Sequence, residues 1–245
     1  MVRHPFGIVS PFGLVSPFGS AASGGSLFAT DWDGTNDFAS WPTVPTGLVD
    51  GPAFTFSLFF QTTKSSGRSG LFDWGNGFLT RLEPGGNATT TWVDTAGGFP
   101  LPSQTFGGNV FNNGDVHHLI MTGDRTSGRR QIVIDRTTVI RNDTGYATAN
   151  DLDLNGGTWQ FFKQSTDFFD GIAFELWWDA RSYDVVTNIG DWINADGTPA
   201  DMGADGSGPG AQPIIYAPDG NPETNLGTGG NATVTGSPAT VARPV

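Results

Sequence analysis

The chain has 245 residues, no cysteine and a formal net charge of −12 at pH 7. The lack of cysteine excludes a disulfide framework, a Cys-ligated zinc site and a cysteine nucleophile. Only 12 Lys and Arg stand against 24 Asp and Glu, so the chain lacks the basic surface of a nucleic-acid-binding protein. The sequence has no apolar run of about 18 residues, which argues against a membrane-spanning helix. We therefore expect neither nucleic acid nor a membrane as a partner.

The composition favours an all-β fold with many tight turns. The chain contains 36 glycines and 16 prolines, which suit turns, and 19 phenylalanines and 8 tryptophans, which suit a core. Disordered chains lack such aromatic content. By composition and residue pattern the sequence divides into three sections, residues 1–24, 25–195 and 196–245.

The first section, residues 1–24, repeats the tripeptide Pro-Phe-Gly every six residues. Proline at this spacing excludes an α-helix, and six residues is a multiple of the strand and polyproline II periods. The phenylalanines would therefore point the same way, and we interpret the section as an extended arm that docks into pockets of a neighbouring subunit. The alternatives are an apolar linker or a first strand folded onto its own domain. The candidate docking residues are Phe6, Phe12 and Phe18.

The second section, residues 25–195, alternates with the period of two that is typical of β-strands. Apolar side chains form one face of two predicted strands, Phe54, Phe56, Leu58 and Phe60 in the first and Ile172, Phe174, Leu176 and Trp178 in the second. Further strands are predicted at 28–32, 70–74, 78–82, 89–93, 117–123, 131–135, 138–142 and 159–162. Short strands separated by Gly, Asn and Asp turns argue for a β-sandwich.

Two segments depart from this strand pattern. Residues 182–193 show helical spacing of Val185, Ile189 and Ile193, with Ser182 as a candidate N-cap, and predict a short helix. Residues 196–245 are rich in Gly, Pro, Ala and Thr. We interpret them as an irregular tail that packs on the sandwich or on a neighbour, with strands near 213–216 and 232–235.

The middle section resembles the laminin-G-like, concanavalin A-like lectin superfamily through five motifs in order. They are WDGTNDF at 32–38, FTFSLFF at 54–60, VHHLIM at 116–121, IVID at 132–135 and FDGIAFELWW at 169–178. The resemblance covers about two-thirds of the chain and implies a jelly-roll sandwich of two antiparallel sheets packed face to face. Fold alone does not decide function, because this superfamily includes both lectins and glycoside hydrolases.

A second resemblance concerns the tail. Residues 201–206, 213–216, 225–230 and 234–236 are similar to tails that follow such domains in structural proteins of tailed bacteriophages. Together with the arm, this resemblance leads to the main hypothesis, a head decoration, spike or tail-associated subunit on the surface of a phage particle. Its expected partners are other virion subunits, contacted through the arm, and further copies of the same chain.

The alternative hypothesis is a carbohydrate-binding module or lectin, with a glycan as partner. Trp74, Trp92 and Trp177 are the candidate stacking platforms for sugars, and their other interpretation is core packing. Glycoside hydrolysis is the least favoured reading, because it needs a carboxylate pair and the chain has only three glutamates, none in the superfamily's Glu-x-Asp-x-Glu pattern. His117 and His118 are adjacent, so on a strand they face opposite ways. We therefore expect no enzyme activity.

Calcium is the metal that the resemblance implies, and it requires six to eight oxygen ligands. Asp33, Asn36 and Asp37 cluster in one predicted turn, and Asp170 begins the last predicted strand of the sandwich. A site across these two loops is one interpretation. The other is that Asp and Asn shape the turns by bonding their own backbone. No other cofactor is expected.

Overall fold

The strand-forming pattern of the sequence is visible in a computed structural model along most of the chain. The structure describes residues 26–74, 78–98, 100–108, 110–145, 149–155 and 157–244. The predicted docking residues Phe6, Phe12 and Phe18 lie outside the described residues.

The described residues form seventeen strands and two short 3-10 helices. The strands are β1 Phe28–Asp33, β2 Phe38–Trp41, β3 Ala53–Gln61, β4 Ser69–Asp73, β5 Leu79–Leu82, β6 Ala88–Trp92, β7 Leu101–Phe106, β8 Val116–Asp124, β9 Arg129–Ile134, β10 Thr138–Asp143, β11 Trp159–Phe161, β12 Lys163–Gln164, β13 Asp167–Phe168, β14 Asp170–Asp179, β15 Ile215–Ala217, β16 Thr233–Thr235 and β17 Ala239–Ala242. The 3-10 helices are Ile189–Asp191 and Pro222–Thr224.

The strands build two antiparallel sheets. In the described part of the chain, one sheet has eight strands in the order β10-β9-β8-β3-β14-β1-β17, with β15 added beside β14. The other has seven, in the order β16-β2-β11-β4-β5-β6-β7, and β12 and β13 form a separate hairpin. The sequence-based prediction of an all-β, two-sheet antiparallel jelly-roll sandwich is confirmed.

The inner faces of the two sheets enclose an aromatic core. Phe54, Phe56, Leu58 and Phe60 of β3 all have zero exposure and belong to this core, as their alternation predicts. Each such side chain contributes about 1.5–3 kcal/mol by leaving water. Ring geometry adds to this, because stacked and edge-on aromatic pairs recur through the cluster.

Strand β14 departs from its predicted alternation. Its register against β3 shifts between Phe174 and Trp177, and Glu175 has φ of 49°. Such a bulge inserts one extra residue into the strand and changes which side chains face inward. Leu176 therefore points into the main core with Trp178, whereas Ile172 and Phe174 pack on the opposite face. The prediction that all four share a face is wrong, because a strict period of two cannot accommodate the inserted residue.

The outer face of the eight-stranded sheet is covered by the segment 182–217. Val185, Trp192, Met202 and Tyr216 pack there against Trp177 and neighbouring sheet residues. The helix predicted at 182–193 is wrong, because this stretch contains turns and only the 3-10 helix described above.

Contacts with the sheet explain the missing helix. Gln131 of β9 accepts the backbone N–H of Val185 at 3.0 Å and donates to the Asp184 carboxylate at 3.0 Å. These bonds hold the segment against the sheet, and tertiary contacts of this kind override a weak local helix preference.

The last section of the chain completes both sheets. Strand β15 pairs with β14, β16 with β2 and β17 with β1. The tail strands predicted near 213–216 and 232–235 thus correspond to β15 and β16. Among the described residues, no helix is long and apolar enough to cross a membrane.

Candidate functional site

A cleft of about 340 Å³ opens where β1, β3 and β14 run side by side in the eight-stranded sheet. It borders the apolar cluster of Ala29, Phe59, Phe174 and Ile193 on the outer face of that sheet. Its walls come from the end of β3 with the residues after it and from the start of β14. The lining residues are Asp31, Gln61, Thr62, Thr63, Asp170, Gly171 and Ile172.

Three of these residues form one row across three adjacent strands. Asp31 of β1 pairs with Ile172 of β14, and Ile172 pairs in turn with Gln61 of β3. Neighbouring strands lie about 4.8 Å apart, so Asp31 and Gln61 are separated by about 10 Å. The row places a carboxylate and a carboxamide on either side of an apolar side chain.

Hydrogen bonds within the wall fix the polar groups of Gln61, the last residue of β3, and of Thr62 after it. The side-chain amide nitrogen of Gln61 donates to the carbonyl oxygen of Gly114 at 2.6 Å. The Thr62 hydroxyl donates to the carbonyl oxygen of Asp170 and accepts the backbone N–H of Lys64 at 3.1 Å. The first bond orients the Gln61 amide and leaves its oxygen as an acceptor.

Gly171 permits the close approach of β14 to β3 at the cleft. A Cβ at this position would lie 2.3 Å from the carbonyl oxygen of Gln61 and 2.9 Å from Cβ of Thr62. Atoms of the backbone cannot yield to such a contact without moving a strand. Glycine is therefore required for the register that forms the row.

The electrostatic environment of the cleft is acidic. Burial raises the pKa of Asp31 above its usual range, and the nearby carboxylates of Asp170, Asp33 and Asp37 raise it further. The pKa of Asp33 is lowered instead, chiefly because the backbone N–H of Thr35 donates to its carboxylate. The seven lining residues include no lysine or arginine.

The structure brings together the residues predicted to bind calcium. Asp33 and Asp170 are register partners, and the turn at Gly34, with φ of 68°, lies so close to Asp170 that a Cβ would be 2.4 Å from the Cβ of Asp170. Asn36 and Asp37 follow in the same turn. The sequence analysis thus located one rim of the cleft.

The carboxylates of this turn are engaged by backbone amides. Asp33 accepts the N–H groups of Thr35 at 2.8 Å and Asn36 at 3.2 Å. Asp37 accepts those of Asp33 at 3.2 Å and Ser237 at 2.8 Å. Within the ranges that the structure describes, no three His, Cys, Asp or Glu side chains are arranged to hold a metal ion. The geometry of these hydrogen bonds favours the turn-forming interpretation.

The three candidate stacking tryptophans are core residues. Trp74, Trp92 and Trp177 have exposures of 0%, 1% and 0%. Trp74 stacks on Trp159 at 4.3 Å, and Trp177 donates its indole N–H to the carbonyl oxygen of Gly206 at 2.9 Å beneath the covering segment. This corrects their interpretation as platforms, because a sugar can stack only on an exposed ring face.

The histidines serve the architecture of β8. The two rings have different surroundings, as their adjacency predicts. The ring of His118 is buried against Phe59 and lies 2.8 Å from the Ser57 hydroxyl, measured at Nε2. His117 bonds Asp135 at 2.9 Å and Asn113 at 3.0 Å. The Ser57–His118 pair is enclosed, since both residues are almost fully buried.

The sequence analysis missed Asp31, Gln61, Thr62 and Ile172 as site residues. Asp31 lies between buried Thr30 and buried Trp32, and Gln61 ends a buried strand, so each was visible as a polar residue of a strand. Only the pairing of β1, β14 and β3 places Asp31, Ile172 and Gln61 in one row. Along the sequence, β1 and β14 are more than one hundred residues apart.

No family model and no curated protein matches the chain. Solved structures match its fold. A "putative carbohydrate binding protein" from Bacteroides ovatus aligns with a TM-score of 0.62 at 14% identity, over 89% of this chain and 60% of that chain. A heptameric SAP-like pentraxin from Limulus polyphemus aligns with a TM-score of 0.55 at 9% identity, over 88% and 94% of the two chains.

The fold is an antiparallel jelly-roll sandwich. Domains LG4-5 of the mouse laminin alpha1 chain also align, at 16% identity over 65% of this chain and 43% of that one, but their TM-score of 0.46 adds nothing to this assignment. At these identities the matches establish architecture. The chain spans 60% of the length of the Bacteroides protein.

Proposed function

We propose that this chain is a carbohydrate-binding domain without catalytic activity, and that it binds a sugar in the cleft between β1, β3 and β14. The observation that carries the proposal is the row of Asp31, Ile172 and Gln61 in a cleft of about 340 Å³. Ligand sites combine an apolar surface with a few convergent polar groups, and this row has both.

The spacing of the row suits one sugar ring. The backbones of Asp31 and Gln61 are roughly 10 Å apart. A single six-membered ring over Ile172, with a hydrogen bond of about 2.8 Å on each side, suits this spacing. Hydroxyls on opposite ring edges can then donate to the Asp31 carboxylate and the Gln61 amide oxygen, while ring C–H groups lie on Ile172.

The comparisons support this proposal more than the phage hypothesis. The Bacteroides protein with the same architecture is described as a putative carbohydrate-binding protein, and none of the matched structures named above points to a phage particle. Attachment through Phe6, Phe12 and Phe18, assembly into oligomers and a location on a virion stay predictions, because neither the structure nor the comparisons test them.

Removal of the row's polar groups should weaken glycan binding. We expect Asp31→Asn to weaken binding at least about tenfold, since a hydrogen bond to a charged group contributes about 1.5–3 kcal/mol. Gln61→Ala should weaken it by up to about tenfold, since a neutral hydrogen bond contributes about 0.5–1.5 kcal/mol. A glycan array with the wild-type chain identifies a ligand, and calorimetric titration of that ligand compares the variants. Asp31→Asn should fold normally, because its carboxylate is already disfavoured by burial and by like charges.

Two matched variants control this experiment. Glu223→Gln removes one exposed carboxylate that does not line the cleft, and Gln160→Ala removes one carboxamide from β11 of the other sheet. Both should bind as the wild-type chain does. If Gln160→Ala lost glycan binding and Gln61→Ala did not, the binding site would lie on the other sheet. Failure of the wild-type chain to bind any glycan would contradict the proposed function itself.

A further inference from the structure

We propose that the cleft selects glycans by charge, accepting sugars that carry a protonated amino group and rejecting sugars that carry a carboxylate. This inference rests on the proposed function and names the ligand class of the same site. It follows from the positions of charged side chains around the row of Asp31, Ile172 and Gln61.

The charges that line the cleft have one sign. Asp31 lies in the row itself and Asp170 lines the adjoining wall, while the other lining groups are an amide, two hydroxyls, a glycine and an apolar side chain. Asp33 and Asp37 lie close enough to act electrostatically on Asp31. Among the residues that line the cleft, a carboxylated sugar would meet charges of its own sign only.

The carboxylates of the cleft form no ion pair with the basic residues of the described chain. The arginine–carboxylate ion pairs seen among the described residues lie elsewhere in the fold, and neither Asp31 nor Asp170 takes part in any of them. The nearest lysine along the chain, Lys64, donates its ammonium group to the carbonyl oxygen of Phe168 at 2.9 Å. Lys163 lies over the ring of Phe38 at 4.0 Å.

A protonated amine on a sugar ring fits the geometry of the row. Burial and neighbouring carboxylates disfavour the charged form of Asp31, and a cation beside it relieves that cost. An ammonium group donates a charge-assisted hydrogen bond to the carboxylate, which is stronger than a bond from a neutral hydroxyl. The rest of the ring keeps its contacts with Ile172 and Gln61. The amine therefore increases affinity at a position that a neutral sugar already occupies.

The test uses four β-1,4-linked tetrasaccharides that differ only in charge and substituent, made of glucosamine, N-acetylglucosamine, glucose and glucuronic acid. Affinities are measured by NMR titration at about pH 6 in moderate salt. We expect the glucosamine tetramer to bind the wild-type chain about tenfold more tightly than the glucose tetramer, and the glucuronic acid tetramer not to bind.

The variants separate the cleft from the general acidity of the chain. Asp31→Asn should remove the preference for glucosamine over glucose. Glu223→Gln also removes one negative charge, but away from the cleft, and should retain the preference. A preference that persists in Asp31→Asn, or binding of the glucuronic acid tetramer as tight as that of glucose, would overturn the inference.

The outcomes also distinguish this inference from the proposed function. Equal binding of glucose and glucosamine tetramers that depends on Asp31 would leave the carbohydrate-binding function intact and overturn charge selection. If none of the four tetrasaccharides bound and a wider glycan array were also silent, both would fail.

Discussion

Replacement of Arg243 by methionine is expected to lower the free energy of unfolding by about 3–5 kcal/mol, because it leaves a buried carboxylate without its partner. Arg243 follows β17 near the end of the chain, and its guanidinium donates to the Glu175 carboxylate. Glu175 has 1% exposure and also accepts the Tyr216 hydroxyl at 3.1 Å. Denaturant unfolding of the wild-type and variant chains measures the difference.

The position of Glu175 makes this pair costly to break. The residue occupies the bulge of β14 with φ of 49°, so its side chain cannot leave without disturbing the register against β3. Burial raises the pKa of Glu175, while Arg243 and Tyr216 oppose that shift. Without the arginine, the pKa of Glu175 should rise further.

This shift gives the variant a recognisable pH dependence. A carboxyl group with a raised pKa in the folded state binds more protons when folded than when unfolded, so stability falls as pH rises through that interval. Arg243→Met should therefore be less destabilised at about pH 5 than at about pH 8.

Two controls accompany the measurement. The double variant Glu175→Gln with Arg243→Met should recover most of the lost stability, because no charge remains buried. Arg68→Met breaks a pair in which the arginine is 48% exposed, and should cost less than about 1 kcal/mol. If Arg243→Met proved as stable as Arg68→Met, the ion pair between Arg243 and Glu175 would not stabilise the fold.

The architecture could be predicted from the sequence because local patterns were consistent with the global fold. The alternation of Phe54, Phe56, Leu58 and Phe60 depends only on a strand with one face inward, and the Asp33-Gly34 turn depends on local backbone bonds. The bulge at Glu175 could not be predicted, because it is defined by the register of β14 against β3.

The candidate site was only partly predictable for a related reason. Asp33, Asn36, Asp37 and Asp170 were recognised as a cluster of side-chain oxygens, and the structure places Asp170 in the wall of the cleft with Asp33 as its register partner. The row itself requires knowledge of which strands are neighbours. Tryptophans are equally ambiguous, since a ring suited to sugar stacking and a ring suited to a core have the same sequence signature.

Acidification from pH 7 to about pH 4 is expected to remove about 3 kcal/mol of stability through His118 alone. Burial lowers the pKa of His118 to about 3, whereas in the unfolded chain the pKa is about 6.5. Between these two values the unfolded state binds more protons, so stability is complete above about pH 6.5 and falls by about 1.4 kcal/mol per pH unit below it.

The geometry explains why the ring remains neutral. His118 stacks on Phe59 at 4.2 Å, and its Nδ1 atom makes no hydrogen bond with the described residues. Its Nε2 atom has only the Ser57 hydroxyl, at 2.8 Å. A proton added to this ring would place a charge in an apolar layer on the outer face of the eight-stranded sheet, where the nearby Asp135 carboxylate offsets only part of the lost hydration.

The variant His118→Gln isolates this contribution, because glutamine keeps a polar group near Ser57 but does not titrate. Between pH 7 and pH 4, the free energy of unfolding of this variant should fall by about 3 kcal/mol less than that of the wild-type chain. Above pH 7 the two pH profiles should run parallel. NMR titration of the ring provides the direct measurement. A His118 midpoint above about pH 5 in the folded chain would contradict the prediction, since the ring would then accept a proton without unfolding the layer that encloses it.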